Sequence, residues 1–189
     1  MPAASLAQSA YVVLGLLDAY GPGTPYDLKR WVDRSVGYFW SFPRAQLYVE
    51  PQRLAERGLV EEVREASGRR RRRFSITPAG RDLLREWIRS DESTPPELRD
   101  SGLLKLFFAR PVETAAVVKL ARASAAEHAR RLTDYERLLP RLERDPGAAF
   151  ALATLRLGLR HEQLAVEFWQ DVADNPPHVG NLYPQPHTP

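Results

Sequence analysis

Gly58-Leu59-Val60-Glu61-Glu62-Val63-Arg64-Glu65-Ala66-Ser67-Gly68-Arg69-Arg70-Arg71-Arg72-Arg73-Phe74-Ser75-Ile76-Thr77-Pro78 is the stretch that decides how this chain folds. Gly58 closes a helical pattern, and Leu59, Val60 and Val63 open an extended one. Ala66-Ser67-Gly68 is turn chemistry. On the return, Phe74 and Ile76 alternate with Arg73, Ser75 and Thr77, the period of two expected of a half-buried strand. Thr77 ahead of Pro78 then caps a helix running to about Ser90 through Leu83, Leu84, Trp87 and Ile88. A hairpin set between two helices is predicted.

Three helices precede it. Residues 5–20, with Ser5 as N-cap, bring Leu6, Ala10, Val13, Leu14, Leu17 and Tyr20 to one face, and Gly21-Pro22-Gly23 stops the helix. Thr24-Pro25-Tyr26-Asp27 carries a cap, a first-turn Pro and a capping-box acid, predicting a second helix over 25–35 with Gly37 as terminator. The third is predicted over 43–57 with Leu47, Tyr48 and Leu54. Pro51 lacks the amide that would bond Leu47 and predicts a local bend or loosening. Three helices, a hairpin and a helix make a winged helix-turn-helix over residues 1–90, so the chain is mainly α with a two-stranded β-wing.

Residues 91–96 are a polar linker, and residues 97–174 are predicted to form an antiparallel helical dimerisation domain with helices over 97–109, 111–144 and 147–173. The tail over 175–189 holds five of the 16 prolines and reads as irregular. In the second of these helices Val118, Ala121, Ala125, His128, Leu132, Tyr135, Leu139 and Leu142 recur in steps of three and four, a seam for a partner helix. The third carries two apolar stripes: Phe150, Ala153, Leu157, His161, Leu164 and Phe168 on one, Leu152, Leu155, Leu159, Val166 and Trp169 on the other. A helix apolar on two faces needs cover on both. One face packs on its own chain; the other is most simply covered by a second copy. Leu132, Tyr135, Leu139, Leu157, Leu164 and Phe168 are the candidate dimer contacts.

Charge points to a partner. Of 189 residues, 27 are Lys or Arg and 24 Asp or Glu, a net of +3. Residues 1–90 carry 15 basic against 10 acidic side chains, a net of +5, whereas residues 91–189 carry 12 against 14, a net of −2. The excess is concentrated at Arg69, Arg70, Arg71, Arg72 and Arg73. A wing tip bearing them suits the phosphates or the narrow minor groove of double-stranded DNA. Glu61, Glu62 and Glu65 across the hairpin are the alternative source of neutralisation. On the helix that a helix-turn-helix inserts in the major groove, Arg44, Gln46, Gln52 and Arg53 are of the types that read base edges, while Tyr48 suits a phosphate.

Other classes find little support. Cys is absent, excluding disulfides, thiolate metal ligands and cysteine nucleophiles. The four His lie apart, with no His-Glu-x-x-His spacing and no phosphate-cradling glycine loop. The chain therefore reads as a non-enzyme without cofactor or metal. No apolar run approaches the ~20 residues of a membrane helix and no basic signal-peptide start is present, so a cytoplasmic location and no membrane association are expected.

Tyr11-Val12-Val13-Leu14-Gly15-Leu16-Leu17, Thr24-Pro25-Tyr26-Asp27-Leu28, Gln46-Leu47-Tyr48, Arg53-Leu54-Ala55-Glu56-Arg57-Gly58-Leu59-Val60, the basic hairpin and Phe74-Ser75-Ile76-Thr77-Pro78-Ala79-Gly80 together resemble the PadR family of bacterial transcriptional regulators. Leu103-Leu104-Lys105-Leu106-Phe107-Phe108 ahead of two long helices is similar to the dimerisation region of one PadR subgroup. The resemblance implies a homodimeric winged-helix repressor on palindromic promoter DNA, released by a small aromatic effector. It places Tyr48 near the phosphates and makes Arg69–Arg73 the wing. Val49 stands where the family has Pro, and Pro51 replaces an apolar helix residue. Trp87, Phe107, Phe108 and Trp169, with Phe168, are candidates to line an aromatic effector pocket, as well as ordinary core residues. The competing reading is a protein-interaction module whose arginines meet an acidic partner.

Overall fold

In a computed structural model, residues 6–40, 43–64, 71–91, 95, 97–110 and 112–177 are described. Ser5, the turn at Ala66-Ser67-Gly68, Arg69, Arg70 and the tail from residue 178 lie outside them. The chain folds as two compact units, Met1–Pro95 and Pro96–Pro189. It is mostly helical with one two-stranded antiparallel sheet.

The first unit holds α1 (Gln8–Tyr20), α2 (Pro25–Val32), α3 (Gln46–Glu56), β1 (Val60–Arg64), β2 (Arg72–Ile76) and α4 (Pro78–Arg89). Val13, Leu14 and Leu17 from α1 meet Leu28, Leu47, Leu54, Phe74 and Leu84 in one core. Each such buried side chain contributes roughly 1.5–3 kcal/mol by leaving water. α1 begins at Gln8 with Ala7 at its N-cap rather than at Ser5. α2 carries the expected capping box: the Asp27 N–H donates to Thr24 Oγ1 at 3.2 Å and the Thr24 N–H to Asp27 Oδ2 at 3.1 Å.

α2 ends at Val32, earlier than its sequence suggests, and a 3-10 turn over Val36–Tyr38 follows. Gly37 therefore terminates nothing. It lies in that turn because a Cβ there would come within 2.6 Å of the Val32 carbonyl. The third helix also starts late. Pro43, Arg44 and Ala45 form a turn whose carbonyls accept from Gln46, Leu47 and Tyr48, three residues on, and the α-helix proper opens at Gln46. It then runs unbroken through Pro51, which is buried. Its end is a Schellman closure: Leu59 N–H donates to Leu54 and Gly58 N–H to Ala55, both at 3.0 Å, with Gly58 at φ +70°.

β1 and β2 pair from Val60 opposite Ile76 to Arg64 opposite Arg72. Gly23, in the α1–α2 turn, exchanges both backbone hydrogen bonds with Phe74, at 2.8 and 2.9 Å. β2 is thus paired on both edges at that point. Thr77 caps α4 by accepting from the Gly80 N–H at 3.1 Å, and Gly80 abuts the Leu59 carbonyl too closely for any side chain.

The second unit comprises α5 (Ser101–Phe107), α6 (Thr114–Glu143) and α7 (Ala149–Asp174). α5 is shorter than the predicted 97–109 because Asp100 caps it, accepting from Gly102 and Leu103. α6 and α7 run antiparallel: Glu143 lies near Arg156, Tyr135 against Gly158, His128 against Glu162, and Ala121 shares a core with Trp169. α6 continues through Pro140. No described helix is long and apolar enough to cross a membrane.

Candidate nucleic-acid interface

Burial sorts α3 into two faces. Leu47, Glu50, Pro51 and Leu54 point inward; Tyr48, Val49, Gln52, Arg53 and Glu56 point outward. That is the polar outer stripe a recognition helix needs, held by two leucines in the core. Tyr48 is 54% exposed. Arg53 donates to the buried Glu50 carboxylate at 3.2 Å. Arg44 stands ahead of the helix, 3.1 Å from Asp33. The Lys29 hydrogen bond, with the Arg44 charge adding, holds the Asp33 carboxyl below the usual carboxylate range. Gln46 is less available than its sequence suggests: it is half-buried and its Oε1 is enclosed with no partner among the described residues.

The wing does not present its arginines equally. Arg72, Phe74 and Ile76 alternate toward the core side of β2, and Arg71 and Arg73 lie on exposed positions. Arg72 grips Glu62 with Nε and Nη2, each bond 2.6 Å, and lies over the Phe74 ring. The Arg72 hydrogen bond, helped by Arg64, holds the Glu62 carboxyl down at about 2. Arg73 donates to the Pro22 carbonyl at 3.0 Å. Arg71 is exposed and has no partner among the described residues. Across the groove between wing and helix, Arg72 Nη1 donates to Gln52 Oε1 and Gln52 Nε2 to Glu56 Oε1, both at 3.4 Å. Glu62 is one of the three acids the sequence sets across the hairpin, but no sequence pattern pairs Arg72 with Gln52, twenty residues away.

In the helical unit the two stripes of α7 separate. Leu155 and Trp169 are buried, and Leu152, Leu159 and Val166 half-buried. Phe150, Leu157, Leu164 and Phe168 are exposed, Leu157 by 71%. On α6, Leu132 and Leu139 are half-buried, whereas Tyr135 is covered within its own chain, its ring against Gly158. Of the candidate effector contacts, Trp169 is enclosed in the core at 1% exposure and Trp87 stacks on Tyr11, centroids 4.5 Å apart. Phe107 and Phe108 are exposed and meet edge to face.

A three-helix core with an arginine-bearing wing beside an exposed polar helix defines a winged-helix, DNA-binding transcription regulator. The comparisons agree. The model of the transcriptional regulator PadR-like family matches residues 13–86, and that of the virulence activator alpha C-terminal region matches residues 98–175. The negative transcriptional regulator PadR of Bacillus subtilis is 24% identical over 139 residues, 70% of this chain and 76% of that protein. Its crystal structure with operator DNA shares the fold at TM-score 0.77 and 22% identity, covering 89% of this chain and 98% of that one. Its complex with p-coumaric acid gives 0.69 and 20%, covering 89% and 97%. The probable transcriptional regulator Rv1176c of Mycobacterium tuberculosis is 28% identical over 165 residues, 79% of this chain and 87% of that one. The Vibrio cholerae virulence activator AphA gives a TM-score of 0.68 at 25% identity, covering 88% and 96%. Residues 13–86 thus form a PadR-like transcriptional-regulator domain.

Proposed function

We propose that this protein works as a homodimer on a palindromic operator, placing α3 of each copy in a major groove and the wing against the adjacent minor groove and phosphates. The observation that carries this is the outer face of α3, where Tyr48, Gln52 and Arg53 stand exposed beside a wing whose Arg71 has no partner among the described residues. Tyr48 serves the backbone, Gln52 and Arg53 the base edges, and Arg71 and Arg73 the flanking phosphates. Arg69 and Arg70 extend the same basic run. Two such helices on a twofold axis reach half-sites about 34–36 Å apart.

The exposed stripe of α7 supports the dimer. Phe150, Leu157, Leu164 and Phe168 form a row of large apolar side chains left exposed among the described residues. A second copy covers them by the same surface, as a twofold contact requires. The p-coumaric acid complex of B. subtilis PadR supports a small aromatic effector here, with exposed Phe107 and Phe108 its nearest chemistry. That protein's description as a negative regulator supports repression, exercised in the cytoplasm where the DNA lies.

Anisotropy titration of random and wild-type-selected duplexes at two salt concentrations tests the reading. It predicts preference for the selected duplex and a steep loss of random-duplex affinity with salt. Binding insensitive to salt, or equal for both duplexes, refutes it.

A further inference from the structure

We propose that Arg72 is a positioning residue: it fixes the amide of Gln52, and through it the base preference of the recognition helix, instead of contacting the DNA backbone. This rests on the DNA-binding reading above and goes beyond it by separating one arginine of the wing from its neighbours.

The guanidinium of Arg72 is already occupied. Two of its nitrogens are on Glu62 at 2.6 Å, its central carbon lies over the Phe74 ring, and its remaining terminal nitrogen faces Gln52 Oε1 at 3.4 Å. It lies on the inward side of β2, in register with the buried Phe74 and Ile76. A cation whose charge is met by a carboxylate at that distance releases few counterions on meeting a polyanion. Arg71, without such a partner among the described residues, is the opposite case.

Gln52 is where the occupied guanidinium acts. An amide has two chemically different ends, and its neighbours choose between them. Arg72 has only hydrogens to give, so it takes the oxygen; the Glu56 carboxylate has only lone pairs, so it takes the nitrogen. One amide orientation satisfies both. Each end still holds a spare group, one lone pair on Oε1 and one N–H on Nε2. An acceptor beside a donor is the pattern complementary to adenine N6 and N7 in the major groove. Arg72 and Glu62 therefore hold Gln52 ready for adenine before DNA arrives, which lowers the ordering cost of the contact.

The test is a double-mutant cycle on the full chain. Wild type, Arg72→Met, Gln52→Ala and the double variant are titrated with random duplex over a KCl series. They are also titrated with a duplex selected by wild type from a randomised pool, and with its single-base-pair variants. Arg72→Met is expected to leave the salt slope on random duplex unchanged. It should lower the preference for an A·T pair at one position by about tenfold. In the Gln52→Ala background it should lower that preference no further. A salt slope reduced by about one with base preference intact makes Arg72 a phosphate contact and overturns the proposal. So do additive effects of the two substitutions. Glu62→Gln, which loosens the grip while keeping Arg72, is expected to lose the same preference and carries the test if Arg72→Met does not fold; preference retained there also overturns it. Failure of wild type itself to bind random duplex in a salt-dependent way would instead remove the underlying DNA reading.

Discussion

His128 Nδ1 lies 2.6 Å from Glu162 Oε2 and ties α6 to α7 through the middle of the helical unit. The other ring nitrogen is 3.8 Å from Asp100, the residue that caps α5, so one imidazole reaches three helices. Glu162 is buried, with Arg131 and His161 at 4.0 and 3.8 Å from its second oxygen. A carboxylate that far from water holds its place through such partners.

His128→Ala is therefore expected to destabilise the helical unit by about 2–4 kcal/mol, because it strands Glu162 without its short bond. Glu162→Gln, which keeps a polar group of the same shape beside the ring, should cost less. Urea denaturation followed by circular dichroism measures both. Equal midpoints for wild type and His128→Ala would mean that the pair adds nothing to stability.

Acid should loosen the wing. The Glu62 carboxyl is held at about 2, far below an ordinary glutamate, so the unfolded chain binds its proton first as pH falls. The stabilisation is complete above the ordinary value near 4.5 and disappears as pH drops through the folded value. Wild type should exceed Glu62→Gln in stability at pH 7, with the gap narrowing below about pH 5 and closing near pH 2. A gap independent of pH would disconnect the effect from this carboxylate.

Arg71→Ala should lower affinity for all duplexes alike and reduce the salt slope by about one per copy bound. Base preference should stay as in wild type. A change in preference without a change in slope would place Arg71 on a base.

On α7, Leu157→Glu and Leu164→Glu alter side chains that a single copy leaves in solvent. Each should yield folded monomer with unchanged helicity, seen by light scattering and far-ultraviolet dichroism. Leu155→Glu, two residues from Leu157 but on the buried stripe, should lose the fold with a cost on the order of several kcal/mol. Dimers persisting in both exposed-stripe variants would move the contact elsewhere.

What could be read from the sequence was local. The caps at Thr24 and Thr77 and the closure at Gly58 depend on residues three to five apart, and each forms as its sequence indicates. The two stripes of α7 were also visible, since helical spacing alone separates them. Boundaries were less legible. Pro43 is as compatible with a 3-10 turn as with a helix start, and the turn prevails here, leaving Arg44 beside Asp33 ahead of the helix. The partners of Arg72 and Phe74 were hidden for another reason. Glu62, Gln52 and Gly23 lie ten, twenty and fifty-one residues from them, and no periodicity spans such distances.

The double pairing of Phe74 bears on when the first unit can exist at all. Helices α1 to α3 close their own hydrogen bonds from nearby sequence and can begin to form early. Their shared interior, however, is filled by Phe74 and Ile76, and the α1–α2 turn waits for Phe74 to complete its backbone partners. During synthesis the unit thus remains unfinished until the second strand has left the ribosome. The strand that carries the basic wing also closes part of that interior, so a chain cut short before residue 74 should lack a folded first unit, not merely its wing.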